Sequence, residues 1–224
     1  MPLTLLLVEC GIELIPDEIK NHPAIQKNLQ KENYASRILD NAIHHSAMKK
    51  LNVYEKRGRP DITHICLLNA LGSPLNISGN LTLYIHTVHN KIFKINPKIR
   101  LARNYNRFKG LIGKLLIEGK IETDEDILIS SIEGDLKSLL RTIEDAEVIL
   151  CSVKGRLTLN YQEIFQDNLS KNYVLIIGGF QKGRFSSEIL GLSNNLVSIS
   201  KNSLNAWNVV NKMITYYEIH NNIH

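Results

Sequence analysis

Short apolar runs alternate with stretches of helical periodicity along this chain, and that alternation constrains the fold more than any other feature. Leu3–Glu9 is rich in Leu and Val and reads as a buried strand. Glu147–Ser152 and Tyr173–Ile177 are short runs of the same kind, and Leu196–Ile199 reads as a third in the C-terminal part. Between them, Asn21-His22-Pro23 predicts a helix start with Pro at the first position. Ile38, Ala42, Ile43, Ala47 and Leu51 recur at three- and four-residue steps and predict a helix from about Ala35 to Leu51. Further helices are expected over Ile62–Leu71, stopping at Gly72, from about Asn106 to Leu116, and from about Leu204 to His220. Leu81–Thr87 and Lys91–Ile95 read as a small hairpin turning at His89-Asn90. The alternation predicts an α/β fold with a mostly parallel sheet flanked by helices. No repeat, low-complexity segment or Pro/Gly/Ser-rich linker divides the chain, so residues 1–224 are expected to form a single domain.

Composition excludes several classes of protein. The longest apolar runs, Leu5–Val8 and Val174–Ile177, fall far below the ~20 residues of a membrane-spanning helix. Met1–Glu9 has no basic leader region, so neither a membrane span nor a signal peptide is expected, and the location is expected to be cytoplasmic. Cys10, Cys66 and Cys151 are far apart and form no CxxC pair; they are expected to be reduced thiols, not a disulfide framework or a zinc ribbon. His44-His45 and His86-x-x-His89 have no third ligand at metal spacing, so no metal site is expected. The net charge is +5. That excess is unevenly spread: Lys91–Lys114 is densely basic with no acid, whereas Glu118–Glu147 is net acidic and reads as a solvated face. A basic segment of this kind suits an anionic polymer.

Three segments carry candidate chemistry. In Ile176-Ile177-Gly178-Gly179-Phe180-Gln181-Lys182-Gly183-Arg184-Phe185, a buried strand ends in a Gly-rich turn. Such a turn puts backbone N–H groups at the carboxyl edge of a sheet, where α/β proteins bind ligands. It is not a phosphate-binding P-loop, because Arg184 and Phe185 follow Gly183 where Lys and Ser/Thr are needed, and GxGxxG is absent. A tight turn needing positive φ explains a lone Gly-Gly equally well. The polar segment Ile199–Trp207 lies between a strand and a helix, and is either a ligand loop or a helix cap through Asn202 or Ser203. Arg100, Arg103 and Arg107, interleaved with Tyr105 and Phe108, fall on one side if the backbone there is helical. Arginine forks suit phosphate, and Arg57 and Arg59 add charge in a separate loop.

Together these segments resemble the archaeal-type ribosomal small-subunit pseudouridine N1-methyltransferases, a family of the SPOUT superfamily that also serves in ribosome assembly. The resemblance rests on Ile38-Leu39-Asp40, His44-His45-x-Ala47-Met48, Arg59-Pro60-Asp61-Ile62-Thr63-His64 and Ser73-Pro74-Leu75-Asn76. It continues through Arg103-Asn104-Tyr105-Asn106-Arg107-Phe108-x-Gly110-Leu111, Ile177-Gly178-Gly179-Phe180 and Val197-Ser198-Ile199-Ser200. These pieces run in order from about residue 35 to the C-terminus.

The resemblance implies a SPOUT fold with a C-terminal trefoil knot whose loops form the S-adenosylmethionine site. It assigns that site to Leu150, Gly178, Gly183, Arg184, Phe185, Ile199, Ser200, Lys201, Asn202, Ser203 and Leu204. It also implies contact with small-subunit rRNA through Arg59, Arg100, Arg103 and Arg107, a homodimer, and other ribosome assembly factors as partners. Arg59 is the expected stabiliser of charge developing on the uracil ring, with Asp61 orienting it, acting as base, or serving only as a cap at the helix N-terminus. The face of the last helix that carries Trp207, Val210, Ile214 and Tyr217 is available to a second subunit or to the chain's own sheet. A non-enzymatic RNA-binding assembly factor with a vestigial cofactor site, or a nucleotide-binding regulatory module, would share much of this pattern.

Overall fold

The computed structural model describes residues 2–165 and 171–224. The strands are β1 (Leu3–Cys10), β2 (Leu81–Thr87), β3 (Ile92–Ile95), β4 (Lys120–Glu122), β5 (Ile127–Ile132), β6 (Ala146–Leu157), β7 (Asn172–Gly178) and β8 (Asn195–Ser198). The helices are α1 (Pro23–Leu29), α2 (Asn41–Met48), α3 (Pro60–Leu71), α4 (Pro74–Ile77), α5 (Tyr105–Glu118), α6 (Leu136–Arg141), α7 (Ser187–Leu190) and α8 (Ala206–His220). All eight strands join one sheet in the order β4-β5-β3-β2-β1-β7-β6-β8. The five strands from β2 to β8 in that order run parallel, and β3, β5 and β4 extend the sheet as an antiparallel wing.

Every residue of β1 is buried, as befits a central strand covered on both faces. Its side chains alternate between two cores. Leu3, Leu5 and Leu7 enter the larger one, with Cys66 of α3, Phe108 and Ile112 of α5, and Val210 and Met213 of α8. Leu6 and Val8 enter the smaller one, with Leu136 and Leu139 of α6 and Ile189 of α7. Val210, Ile214 and Tyr217 are all in the larger core and Trp207 packs against it, so this face of α8 is closed by the chain's own sheet.

Several sequence expectations need correction. The helix expected over Ala35–Leu51 is interrupted. Ile38 forms a bridge with Leu14, and the Asp40 carboxylate caps a fresh helix by accepting from Ala42 N at 3.0 Å. Ala42 and Ile43 are exposed, whereas His44, Ala47 and Met48 are buried. The hairpin is only the start of the antiparallel wing. Its strands β4 and β5 and the helix α6 come from the acidic segment, whose acids face solvent while Ile121, Ile129, Leu136 and Leu139 are buried. Between β6 and β7 only a short 3-10 turn at Tyr161–Glu163 is described, and part of the helical stretch expected there lies outside the described residues.

The C-terminal strands meet in an unusual way. Val197 of β8 is partnered by Cys151 and, past a register shift, by Arg156 of the same strand β6. A strand has two edges, so residues 152–155 cross over β8 from one edge to the other. Gly155 sits at the crossing: a Cβ there would lie 2.5 Å from the carbonyl carbon of Leu196 and 2.5 Å from the nitrogen of Val197. Both obstacles are backbone, which cannot rotate away. Replacing Gly155 with Ala is expected to lower stability by about 1–3 kcal/mol through overpacking. Urea denaturation of the two proteins measures the difference, and equal midpoints would mean that the crossing has room to spare.

Candidate functional site

Beside the ends of β7 and β8, where β6 shifts register after Cys151, the chain encloses a cavity of about 400 Å³. That volume lies within the range of small-molecule and cofactor pockets. One wall is the segment Cys151–Lys154, another is Ile177–Gly178 with the loop Phe180–Phe185, and the third runs from Val197 to Leu204, skipping Lys201. Leu190 of α7 and the first turns of α8, at Ala206 and Val209, complete it. The local structure follows from the residues. Gly178 ends β7 at a point where a Cβ would stand 2.7 Å from the Phe180 ring, which packs edge-on against Phe185 at 5.4 Å. Gly183 has φ +117°, a backbone conformation that side chains rarely adopt.

Of the residues assigned from sequence, Gly178, Gly183, Arg184, Phe185, Ile199, Ser200, Asn202, Ser203 and Leu204 border this cavity. Leu150 and Lys201 do not. Leu150 is fully buried in the smaller core with Leu6 and Ile176, while its neighbour Cys151 borders the cavity instead. Lys201 is exposed. Neither Asn202 nor Ser203 is the cap of the last helix; that position falls to Asn205, which makes no side-chain cap bond. Sequence reading missed Cys151–Lys154, Leu190 and Val209, which reach the cavity only through the strand crossing and helix packing. All three cysteines are free thiols in buried positions. Burial pushes Cys10 and Cys151 up to about 12, which makes them poor nucleophiles.

The basic residues fall into two groups. Those in the loop before α3 are paired. Arg57 donates to both Glu13 oxygens, and His89 also reaches that carboxylate at 2.9 Å, so Arg57 adds no free charge. Arg59, at the N-cap of α3, forms a parallel fork with Asp61: Nε to Oδ1 at 2.8 Å and Nη2 to Oδ2 at 2.6 Å. The fork engages both Asp61 oxygens and, with desolvation opposing it, raises the Arg59 pKa. Tyr105 lies within electrostatic reach of both residues. Its hydroxyl donates to Asp40 at 3.0 Å, and Lys109 donates to the same oxygen at 2.8 Å. Lys109 is therefore a buried structural cation. The second group, Arg100, Arg103 and Arg107, is exposed, and none of the three has an ion pair among the described residues. They do not share a helix face. Arg100 and Arg103 precede α5, and only Arg107 stands in its first turn, where its N–H is capped by Asn104 at 3.1 Å.

Among the described residues no helix is long and apolar enough to cross a membrane. The EMG1/NEP1 methyltransferase family model matches residues 5–218, which include the cavity loops and both basic groups. The chain is 38% identical over 220 residues to a protein named Ribosomal RNA small subunit methyltransferase Nep1 from Methanothrix thermoacetophila, covering 97% of this chain and 96% of that one. It is 40% identical over 216 residues to the protein of the same name from Staphylothermus marinus, covering 95% and 94%. Among solved structures, it matches Archaeoglobus fulgidus Nep1 bound to S-adenosylhomocysteine with a TM-score of 0.87 and 34% identity, over 99% of this chain and 100% of that one. By the extent of these matches, the chain belongs to the EMG1/NEP1 methyltransferase family.

Proposed function

We propose that this protein is a single-domain methyltransferase that uses S-adenosylmethionine to methylate small-subunit rRNA in the cytoplasm, at N1 of a pseudouridine. The observation that carries the reading is the cavity between the register shift of β6 and the ends of β7 and β8. It is formed by the loops that the resemblance assigns to the cofactor, in a chain whose solved relative holds S-adenosylhomocysteine. The cavity suits the ligand. Gly178 and Gly183 let Phe180, Phe185 and Lys56 pack closely behind the wall, Val197, Leu204 and Val209 supply apolar wall, and Ser200, Asn202 and Ser203 supply polar groups. The crossing of residues 152–155 over β8 supports reading this region as the knot of a SPOUT fold.

When bound, S-adenosylmethionine supplies an electrophilic methyl group carried on a sulfonium. The chain's own residues orient the acceptor and manage its charge. Pseudouridine N1 bears a proton, and its loss leaves negative charge on the ring. The Arg59 guanidinium, held charged by its fork, opposes that charge. Asp61 has both oxygens engaged by Arg59, so its role is to aim the guanidinium and not to take the proton. Arg100, Arg103 and Arg107 bind phosphates, and the target base leaves its stack to reach the site. Exposed Val153, Leu157 and Leu159, on and just past the distal part of β6, offer apolar surface for a second subunit of a homodimer. The protein works among other ribosome assembly factors.

An RNA hairpin containing pseudouridine is expected to accept a methyl group, while the same hairpin with uridine is not. Gly183→Val is expected to abolish both transfer and calorimetric binding of S-adenosylhomocysteine, because valine cannot hold φ +117° without strain. Equal transfer to both RNAs would sink the pseudouridine assignment. Removing one phosphate contact by Arg103→Ala is expected to reduce the salt slope of RNA binding by roughly 0.7–0.9. An unchanged slope would make Arg103 an ordinary solvated residue. Arg59→Ala and Asp61→Ala are expected to impair methylation similarly and non-additively in a double-mutant cycle. Strict additivity, with a thermal shift for Asp61→Ala alone, would reduce Asp61 to a helix-terminus residue.

A further inference from the structure

Behind the cavity wall lies a buried ion pair that the reading above does not use. Glu9 is the penultimate residue of β1, and its backbone is left-handed at φ +51°, where a side chain other than glycine is uncommon. Its carboxylate is buried and accepts from two directions: Lys56 Nζ donates to Oε2 at 2.7 Å, and the Ser186 backbone N–H donates to Oε1 at 3.2 Å. The Glu9 N–H donates to His86 Nδ1 at 3.2 Å. Lys56 is equally buried. Its ammonium stands 4.7 Å from the centre of the Phe180 ring, and its methylenes lie against Gly183, where a Cβ would be 3.2 Å from Lys56 Cε. Phe180 and Gly183 line the cavity; Lys56 and Glu9 do not. Lys56 also precedes Arg57 and Arg59 in their loop, where its carbonyl oxygen packs directly against Gly11.

Burying two charges is costly, and a pair like this offsets the cost only through good geometry and further hydrogen bonds. An apolar pair would fill the same space more cheaply. What an apolar pair would not do is grip the cavity loop from beneath at three points, a ring, a glycine and a backbone N–H, while standing in the loop that carries Arg59. Strained backbone held by such over-determined contacts is a feature of functional sites. We infer that Glu9 and Lys56 are positioning residues for methyl transfer: they hold the loop Phe180–Ser186 in the shape the cofactor needs and tie it to the Arg59 loop. The inference rests on the cavity being the cofactor site.

The test is calorimetric titration of the full chain with S-adenosylhomocysteine, with the thermal midpoint of each apo protein measured alongside. Lys56→Met keeps the stem but leaves Glu9 buried without its cation, and is expected to weaken binding at least about tenfold and to lower the midpoint. The double variant Glu9→Gln/Lys56→Met leaves no charge unpaired. It is expected to regain thermal stability without regaining affinity, a split that a purely structural role would not produce. Wild-type affinity in either folded variant, or affinity recovering in step with the midpoint, would overturn the inference. If Lys56→Met does not fold, the double variant decides alone by the same criterion. Failure of the wild-type chain to bind S-adenosylhomocysteine would remove the cofactor reading itself, and this inference with it.

Discussion

The passage of residues 152–155 over β8 is the contact on which the functional region depends. It is a backbone-on-backbone approach, made where Gly155 presents no side chain to Leu196 and Val197. Because of it, the middle of β6 and the ends of β7 and β8 converge on one volume. Open parallel sheets bind ligands outside the carboxyl ends of their strands. Here the crossing converts that open crevice into a walled cavity, with Cys151–Lys154 brought round to face the loops after β7 and β8.

A division of labour between charged groups follows the same geometry. Four cations of the N-terminal half are committed to carboxylates within the chain: Lys56 to Glu9, Arg57 to Glu13, Lys109 to Asp40, and Arg59 to Asp61. The first three pairs are largely buried and act as struts. The Arg59 pair is more open, with its Asp61 side chain 36% exposed, so the guanidinium is both fixed and within reach of a ligand. Arginines 100, 103 and 107, without an ion pair among the described residues, remain at the surface. A count of positive residues in the sequence cannot separate these roles, because the partners lie far away along the chain: 47 residues for Lys56 and 69 for Lys109.

Much of the fold was readable where a residue's environment is set by its immediate neighbours in sequence. The Leu/Val run of β1 reads as a buried strand, and the Gly-rich segment after β7, open in sequence to a tight turn or a ligand loop, borders the cavity. Reading failed where distant contacts overrode local periodicity. The pattern from Ala35 to Leu51 suits a helix, yet pairing of Ile38 with Leu14 and capping by Asp40 break it. Strands β4 and β5 are hidden because they bury little: in β5 only Ile129 is fully enclosed. Leu150, assigned to the cofactor site by the resemblance alone, is buried in the smaller core, and its neighbour Cys151 borders the cavity because adjacent residues of a strand face opposite ways. Gly155, between Lys154 and Arg156, carries no sign of the crossing it permits.

The cavity walls all come from residues 151–209, whereas the arginines assigned to RNA lie between positions 59 and 107. During synthesis, which runs from the N-terminus, the half that carries these arginines leaves the ribosome well before the cavity has any material to form from. Its central strand β1 then waits for β7 to arrive on its open edge, and β8 must find its place beneath residues 152–155 after that. A chain cut short before α8 lacks Ala206 and Val209 of the cavity wall and the part of the larger core that α8 supplies. The cavity is thus the last surface this polypeptide acquires, and its formation reports that the final stretch of chain has been laid down correctly.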